Sequence, residues 1–137
     1  MPLFRRTSRT PDAPRTPRAS RASHTPRLTP PEAHTLTTPT PNSPRPESET
    51  VLLDVREKPE YRAVHAPGAV LAPLSSLAAG AQLPPNARDK KLVVICRSGH
   101  RSQQAVRLLA ARGIEAVDVE GGMTAWAAAG LPVIRAS

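Results

Sequence analysis

Two short apolar runs, Val51-Leu52-Leu53-Asp54-Val55 and Lys91-Leu92-Val93-Val94-Ile95, constrain the fold more than any other feature of the chain. Each is too continuous for a strand with one face in water. Runs of this kind fit strands buried on both faces of a parallel sheet. Ala69-Val70-Leu71 and Ala116-Val117-Asp118-Val119 are shorter strand candidates. Helical stretches alternate with them. One is expected from Ser102 to Arg112, with Ser102 as N-cap, Ala105, Leu108 and Leu109 on one face, and Gly113 as the stop. A second begins after Pro59 with Glu60 in its first turn. A third holds Met123 to Ala129, with Trp126 inward and Gly130 and Pro132 beyond. Strands that alternate with helices mean an α/β fold with a mainly parallel sheet.

The N-terminal third reads differently. Eleven of the 17 prolines fall in residues 1–50, and residues 1–24 are dominated by Pro, Arg, Ser and Thr. Such a tail has too little to bury and is expected to be disordered. Thr29-Pro30-Pro31-Glu32 fits a capping box ahead of a short helix through Leu36, with Arg27-Leu28 ending an edge strand before it. Residues 37–50 form a Pro/Ser/Thr-rich insertion. The domain is therefore placed at 25–137, which suits the single-domain length of the chain.

The net charge of +8 divides evenly, +4 in residues 1–50 and +4 in residues 51–137. Aromatic interleaving is absent from the cationic tail, so nucleic acid is not the expected partner. One cysteine, Cys96, excludes an internal disulfide and any CxxC pair. His24, His34, His65 and His100 lack metal-ligand spacing, and neither a metal nor an organic cofactor is expected. No apolar stretch reaches transmembrane length, and no apolar segment follows Arg5-Arg6 as in a secretion signal. The expected setting is cytoplasmic, away from membranes.

The chemistry concentrates in Ile95-Cys96-Arg97-Ser98-Gly99-His100-Arg101-Ser102. A buried strand ends at Cys96 and a helix begins near Ser102, so the loop lies at the carboxyl edge of a parallel sheet, where ligands bind. Its backbone amides can converge on one point, and the helix dipole and two arginines add positive character. This is an accessible, electropositive anion cradle with a thiol at its base. A thiolate, rather than a thiol, is the nucleophile, and such surroundings favour it.

Four motifs in order then resemble the rhodanese (sulfurtransferase) family. They are Leu52-Leu53-Asp54-Val55-Arg56-Glu57, His65-Ala66-Pro67-Gly68-Ala69, Cys96 to Ser102, and Gly121-Gly122-Met123-Thr124-Ala125-Trp126 with Gly130-Leu131-Pro132-Val133. The resemblance implies a rhodanese-like fold, with four to five mainly parallel strands flanked by helices on both faces. It also implies that Cys96 carries the transferred sulfur as a persulfide. The amides of Arg97, Ser98, Gly99, His100, Arg101 and Ser102 would cradle that sulfur, and Arg97 and Arg101 would attract a small anionic donor such as thiosulfate. The acceptor would be cyanide, an external thiol or a protein. Asp54 and Arg56, at the end of their strand, read as scaffold: they lie near enough to the loop to form ion pairs that order it, and a structural salt bridge with no substrate contact is the favoured reading of both. Pro67-Gly68 reads as a turn and Trp126 as core.

Two alternatives belong to other classes. Phosphatases and arsenate reductases of related folds place five residues between Cys and Arg, whereas four separate Cys96 from Arg101 here. A non-catalytic rhodanese-like binding module would typically lack the cysteine.

Overall fold

The computed structural model describes residues 27–38 and 50–136. The tail 1–24 and most of the insertion 37–50 lie outside the described residues. A central sheet contains β1 (Arg27–Leu28), β2 (Thr50–Asp54), β4 (Val70–Leu71), β5 (Lys91–Ile95) and β6 (Ala116–Val119). Its spatial order is β1-β6-β5-β2-β4, and every pairing in it is parallel. A separate antiparallel pair joins β3 (Val64–His65) to β7 (Ile134–Arg135).

The two apolar runs lie side by side at the centre, Leu52 opposite Val93 and Asp54 opposite Ile95. Because side chains alternate along a strand, each run supplies both faces of the sheet. Leu53, Leu92, Val94 and Cys96 point toward α3 (Leu74–Ala78) and α4 (His100–Ala111), meeting Leu77, Ala105 and Leu109. Leu52, Val93 and Ile95 point the other way, toward Ala33 of α1 (Pro30–Thr37) and Met123 and Trp126 of α5 (Gly122–Ala128). Tyr61 of α2 (Lys58–Ala63) packs on that second face. Helices thus cover both faces, as the motif resemblance implies.

Several local readings hold. Glu32 N–H donates to Thr29 Oγ1 at 3.3 Å, and Thr29 N–H donates to Glu32 Oε1 at 2.9 Å, completing the capping box. Ala66-Pro67-Gly68-Ala69 is a tight turn, closed by Ala69 N–H to Ala66 O at 3.1 Å, with Gly68 at φ +79°. Trp126 is buried, and its indole N–H donates to Pro132 O at 2.8 Å. One expectation fails. Ser102 is not the N-cap of α4; that helix starts at His100, and Gly99 precedes it in the left-handed region at φ +105°. The Ser102 hydroxyl is committed to a tertiary partner instead.

The connections set the position of the site. After β2 the chain crosses to α2 on one face, whereas after β5 it enters α4 on the other. Neighbouring strands whose connections diverge leave a crevice at their carboxyl ends. Cys96 stands at that edge, directly after β5. Among the described residues, no helix is long and apolar enough to cross a membrane.

Candidate active site

The loop from Cys96 to Gly99 folds back over its own thiol. The Gly99 amide donates to Cys96 Sγ at 3.0 Å, and the first turn of α4 brings the positive end of a 12-residue helix to the same place. Gly99 reaches this geometry through its positive φ. A Cβ there would lie 2.8 Å from Arg27 Nη2 and 3.3 Å from Gly121 N.

Cys96 itself is only 1% exposed, which corrects the expectation of an accessible thiol. Strand alternation directs its side chain to the face of Val94, and the loop closes over it. What the loop exposes is Arg97, Ser98 and His100, the last two linked by a 3.2 Å contact between Ser98 Oγ and His100 Nδ1.

A polar chain runs behind the sulfur. The thiol donates to Ser102 Oγ at 3.5 Å, and the Ser102 hydroxyl donates to Asp118 Oδ2 at 2.7 Å. Ser102 and Asp118 are both fully buried. A buried carboxylate needs a cation and hydrogen bonds. Arg27 provides them through Nε to Oδ1 at 3.0 Å and Nη2 to Oδ2 at 3.1 Å. The same Nη2 donates to Gly99 O at 3.2 Å. The hydrogen bonds to Asp118 raise the pKa of Arg27. Residues far apart in sequence thus form the back wall of the loop.

The other wall is α5. Met123 N–H donates to Cys96 O at 2.7 Å, and Thr124 N–H donates to Arg97 O at 3.0 Å. The loop carbonyls are drawn outward by these bonds, which leaves loop amides such as that of Gly99 free to face the sulfur. Backbone approaches this close at Gly122. A Cβ there would collide with Cys96 O and lie 2.6 Å from Arg97 C. The Gly121-Gly122 pair therefore serves the cysteine loop.

Asp54 and Arg56 do not order the loop through ion pairs with it. They bind one another, Arg56 Nε to Asp54 Oδ1 at 3.0 Å and Nη2 to Oδ2 at 2.8 Å, and Arg56 Nη2 also donates to Val64 O at 2.6 Å. The pair therefore ties the end of β2 to β3. Arg101, by contrast, forms a bidentate pair with Glu60 of α2, at 2.7 and 2.9 Å. The Arg101 hydrogen bonds hold the Glu60 carboxyl at a pKa of about 2, and those to Glu60 raise that of Arg101. Across this bridge α2 fixes the start of α4.

Sequence reasoning identified the loop but not Arg27, Glu60 or Asp118 as its supports. The available signal was Asp118, a lone acid within the strand Ala116-Val117-Asp118-Val119. An acid in a strand with partners on both sides must find a buried cation.

The rhodanese-like domain family matches residues 42–129. A putative sulfurtransferase of Bacillus subtilis, YtwF, is 38% identical over 80 residues, which are 58% of this chain and 76% of that protein. A rhodanese-related protein of Thermoplasma volcanium has a similar structure, with a TM-score of 0.63 and 30% identity over 79% of this chain and 96% of that one. A thiosulfate sulfurtransferase of Pseudomonas aeruginosa gives a TM-score of 0.63 at 27% identity, covering 82% of this chain and 20% of that one. The chain spans half or less of the length of several other curated relatives.

Proposed function

The chain belongs to the rhodanese-like family, and from that premise we propose that it is a sulfurtransferase working through a persulfide on Cys96. The observation that carries this reading is the Gly99 amide, 3.0 Å from Cys96 Sγ at the mouth of α4. A donor aimed at sulfur stabilises the charge that the sulfur gains, whether as thiolate or persulfide.

In the first half-reaction, the Cys96 thiolate attacks the outer sulfur of thiosulfate or a similar donor. A bond forms from Sγ to that sulfur, the bond from it to the sulfonyl group breaks, and sulfite leaves with the electron pair. In the second, cyanide or a thiolate attacks the outer sulfur of the persulfide, and Cys96 departs as thiolate. No electron enters or leaves the system. With a single cysteine in the chain, the acceptor must come from outside.

The roles divide along the geometry. The amides of Arg97 to Ser102 form the cradle, and Ser102, held by Asp118, fixes its inner wall. Arg101 is engaged by Glu60, so attraction of an anionic donor falls chiefly to the exposed Arg97. A cytoplasmic setting, where thiols stay reduced, suits this chemistry.

The test is mass spectrometry after incubation with thiosulfate. One added sulfur is expected on the Cys96 peptide, with release of sulfite, and Cys96→Ser should abolish both while leaving the fold intact. A wild type that forms no persulfide but hydrolyses an aryl phosphate would overturn the assignment.

A further inference from the structure

Three arginines around the cysteine loop are each matched by a carboxylate, Arg27 by Asp118, Arg56 by Asp54 and Arg101 by Glu60. The pairs differ in how firmly they are held. Asp118 and Asp54 are fully buried, so stripping either of its cation would strand a charge in the interior. Arg101 and Glu60 are 33% and 31% exposed, and a bridge in contact with water is weak and exchanges with other ions. Arg97, the other loop arginine, is exposed and bridged to no carboxylate among the described residues.

We propose that Glu60 sets the charge selectivity of the site: by cancelling Arg101 beside the cysteine loop, it disfavours doubly charged sulfur donors relative to singly charged ones. The inference rests on the sulfurtransferase reading and adds the charge class of the donor. Three features support it. The end-on fork of Arg101, which would suit two oxygens of a sulfonate, is filled by the Glu60 carboxylate at 2.7 and 2.9 Å. Glu60 is placed independently of Arg101, because its Oε1 also accepts the Glu57 N–H at 3.0 Å in the capping box of α2. The Arg101 guanidinium lies within electrostatic reach of the sulfur: its pKa is raised first by the hydrogen bonds to Glu60, and the charge of Cys96 adds to the effect. Coulomb energy scales with ligand charge, so cancelling one cation costs a dianion twice what it costs a monoanion. Glu60 touches none of the reacting atoms and acts through Arg101.

The single cysteine allows a test that needs no sulfur transfer. Iodoacetate and iodoacetamide alkylate a thiolate by the same displacement: the bond from Sγ to carbon forms, the bond from carbon to iodine breaks, and iodide leaves. They differ in charge alone, so the ratio of their rate constants reports the field at the sulfur and cancels changes in thiolate content or in loop opening. In the full chain at low ionic strength, Glu60→Gln should raise the ratio of iodoacetate to iodoacetamide about threefold or more, and added salt should shrink the gain. Glutamine keeps the acceptor for the Glu57 N–H. Glu60→Gln/Arg101→Gln, which removes both charges, should return the ratio to within twofold of wild type. A bridge that only ties α2 to α4 would change both rates together. An unaltered ratio in Glu60→Gln, or a gain that survives in the double variant, would overturn the proposal.

The same variants are then loaded with thiosulfate, a dianion, and methanethiosulfonate, a monoanion. Each gives its outer sulfur to Cys96, with sulfite or methanesulfinate leaving with the electron pair. Glu60→Gln should favour thiosulfate over methanethiosulfonate about threefold relative to wild type. A shifted alkylation ratio with no sulfur loaded from either donor would support the role of Glu60 and count against the sulfurtransferase reading alone. Sulfur loading with neither ratio shifted would count against Glu60 alone.

Discussion

Replacing Gly122 by alanine tests whether α5 shapes the cysteine loop. Gly122 has φ +56°, where an L residue pays about 1–2 kcal/mol. A Cβ there also collides with Cys96 O and sits 2.6 and 2.7 Å from Arg97 C and O, all of them backbone atoms. Relief requires α5 and the loop to part, which weakens the bonds from Met123 N–H to Cys96 O and from Thr124 N–H to Arg97 O. Each such bond contributes on the order of 1 kcal/mol. The restricted unfolded chain of the alanine variant offsets about 0.4–1 kcal/mol. The net loss is then about 2–3 kcal/mol, read from urea unfolding. Activity should suffer as well. Ordinary contact with Cys96 O needs a retreat of roughly 1 Å, and a misplacement of about 1 Å at a reacting centre costs on the order of 100-fold. Persulfide formation in the folded variant should therefore slow about tenfold or more. A variant within about 0.5 kcal/mol of wild type that forms persulfide within twofold of the normal rate would refute this account of the Gly-Gly motif.

Two further substitutions probe the walls of the loop. Asp118→Ala removes the partner of Arg27 and the acceptor of the Ser102 hydroxyl, and should cost about 2–3 kcal/mol, below the usual range for a broken buried pair because Arg27 is 29% exposed and can hydrate. Asp118→Asn keeps an acceptor for Ser102 and should cost less in urea unfolding; equal losses would show that Ser102 plays no part. Glu60→Gln should lose less than about 1 kcal/mol, since both partners of the bridge are about a third exposed. The Glu60 carboxyl is depressed from 4.5 to about 2, so its contribution is fully present above pH 4.5 and fades as pH falls through about 2. The stability gap between wild type and Glu60→Gln should therefore be flat from pH 5 to pH 8 and close on acidification; a gap that widens in acid would contradict the assignment.

The parts of the fold that could be read from sequence are those where one residue pattern has one physical outcome. Leu52 to Val55 and Leu92 to Ile95 admit little except doubly buried parallel strands, and these are β2 and β5. Thr29 to Glu32 names a capping box with both of its hydrogen bonds, and both form. The start of α4 was less legible because a serine hydroxyl at such a position has two uses. It can cap a helix, or it can bond a distant carboxylate, and Asp118 claims it. The choice depends on β6 lying beside β5, which local sequence does not contain. The same holds for Arg101. Its charge was legible, but its engagement by Glu60 follows from α2 and α4 meeting across the crevice. Cys96 was legible as the thiol at the base of the loop, while its burial depended on how tightly the loop closes.

The strand β1 carries a consequence for where this catalytic unit ends. All four motifs that mark the family begin after residue 50, and the family match itself begins at residue 42. Yet Arg27, on a two-residue strand before that match, both neutralises Asp118 and holds Gly99 O. A fragment trimmed to the recognisable signature would keep Cys96, the paired glycines and every loop residue. It would also bury the Asp118 carboxylate without its cation, directly behind Ser102. The working boundary of the domain is therefore set by electrostatics and lies upstream of residue 42, where the family match begins.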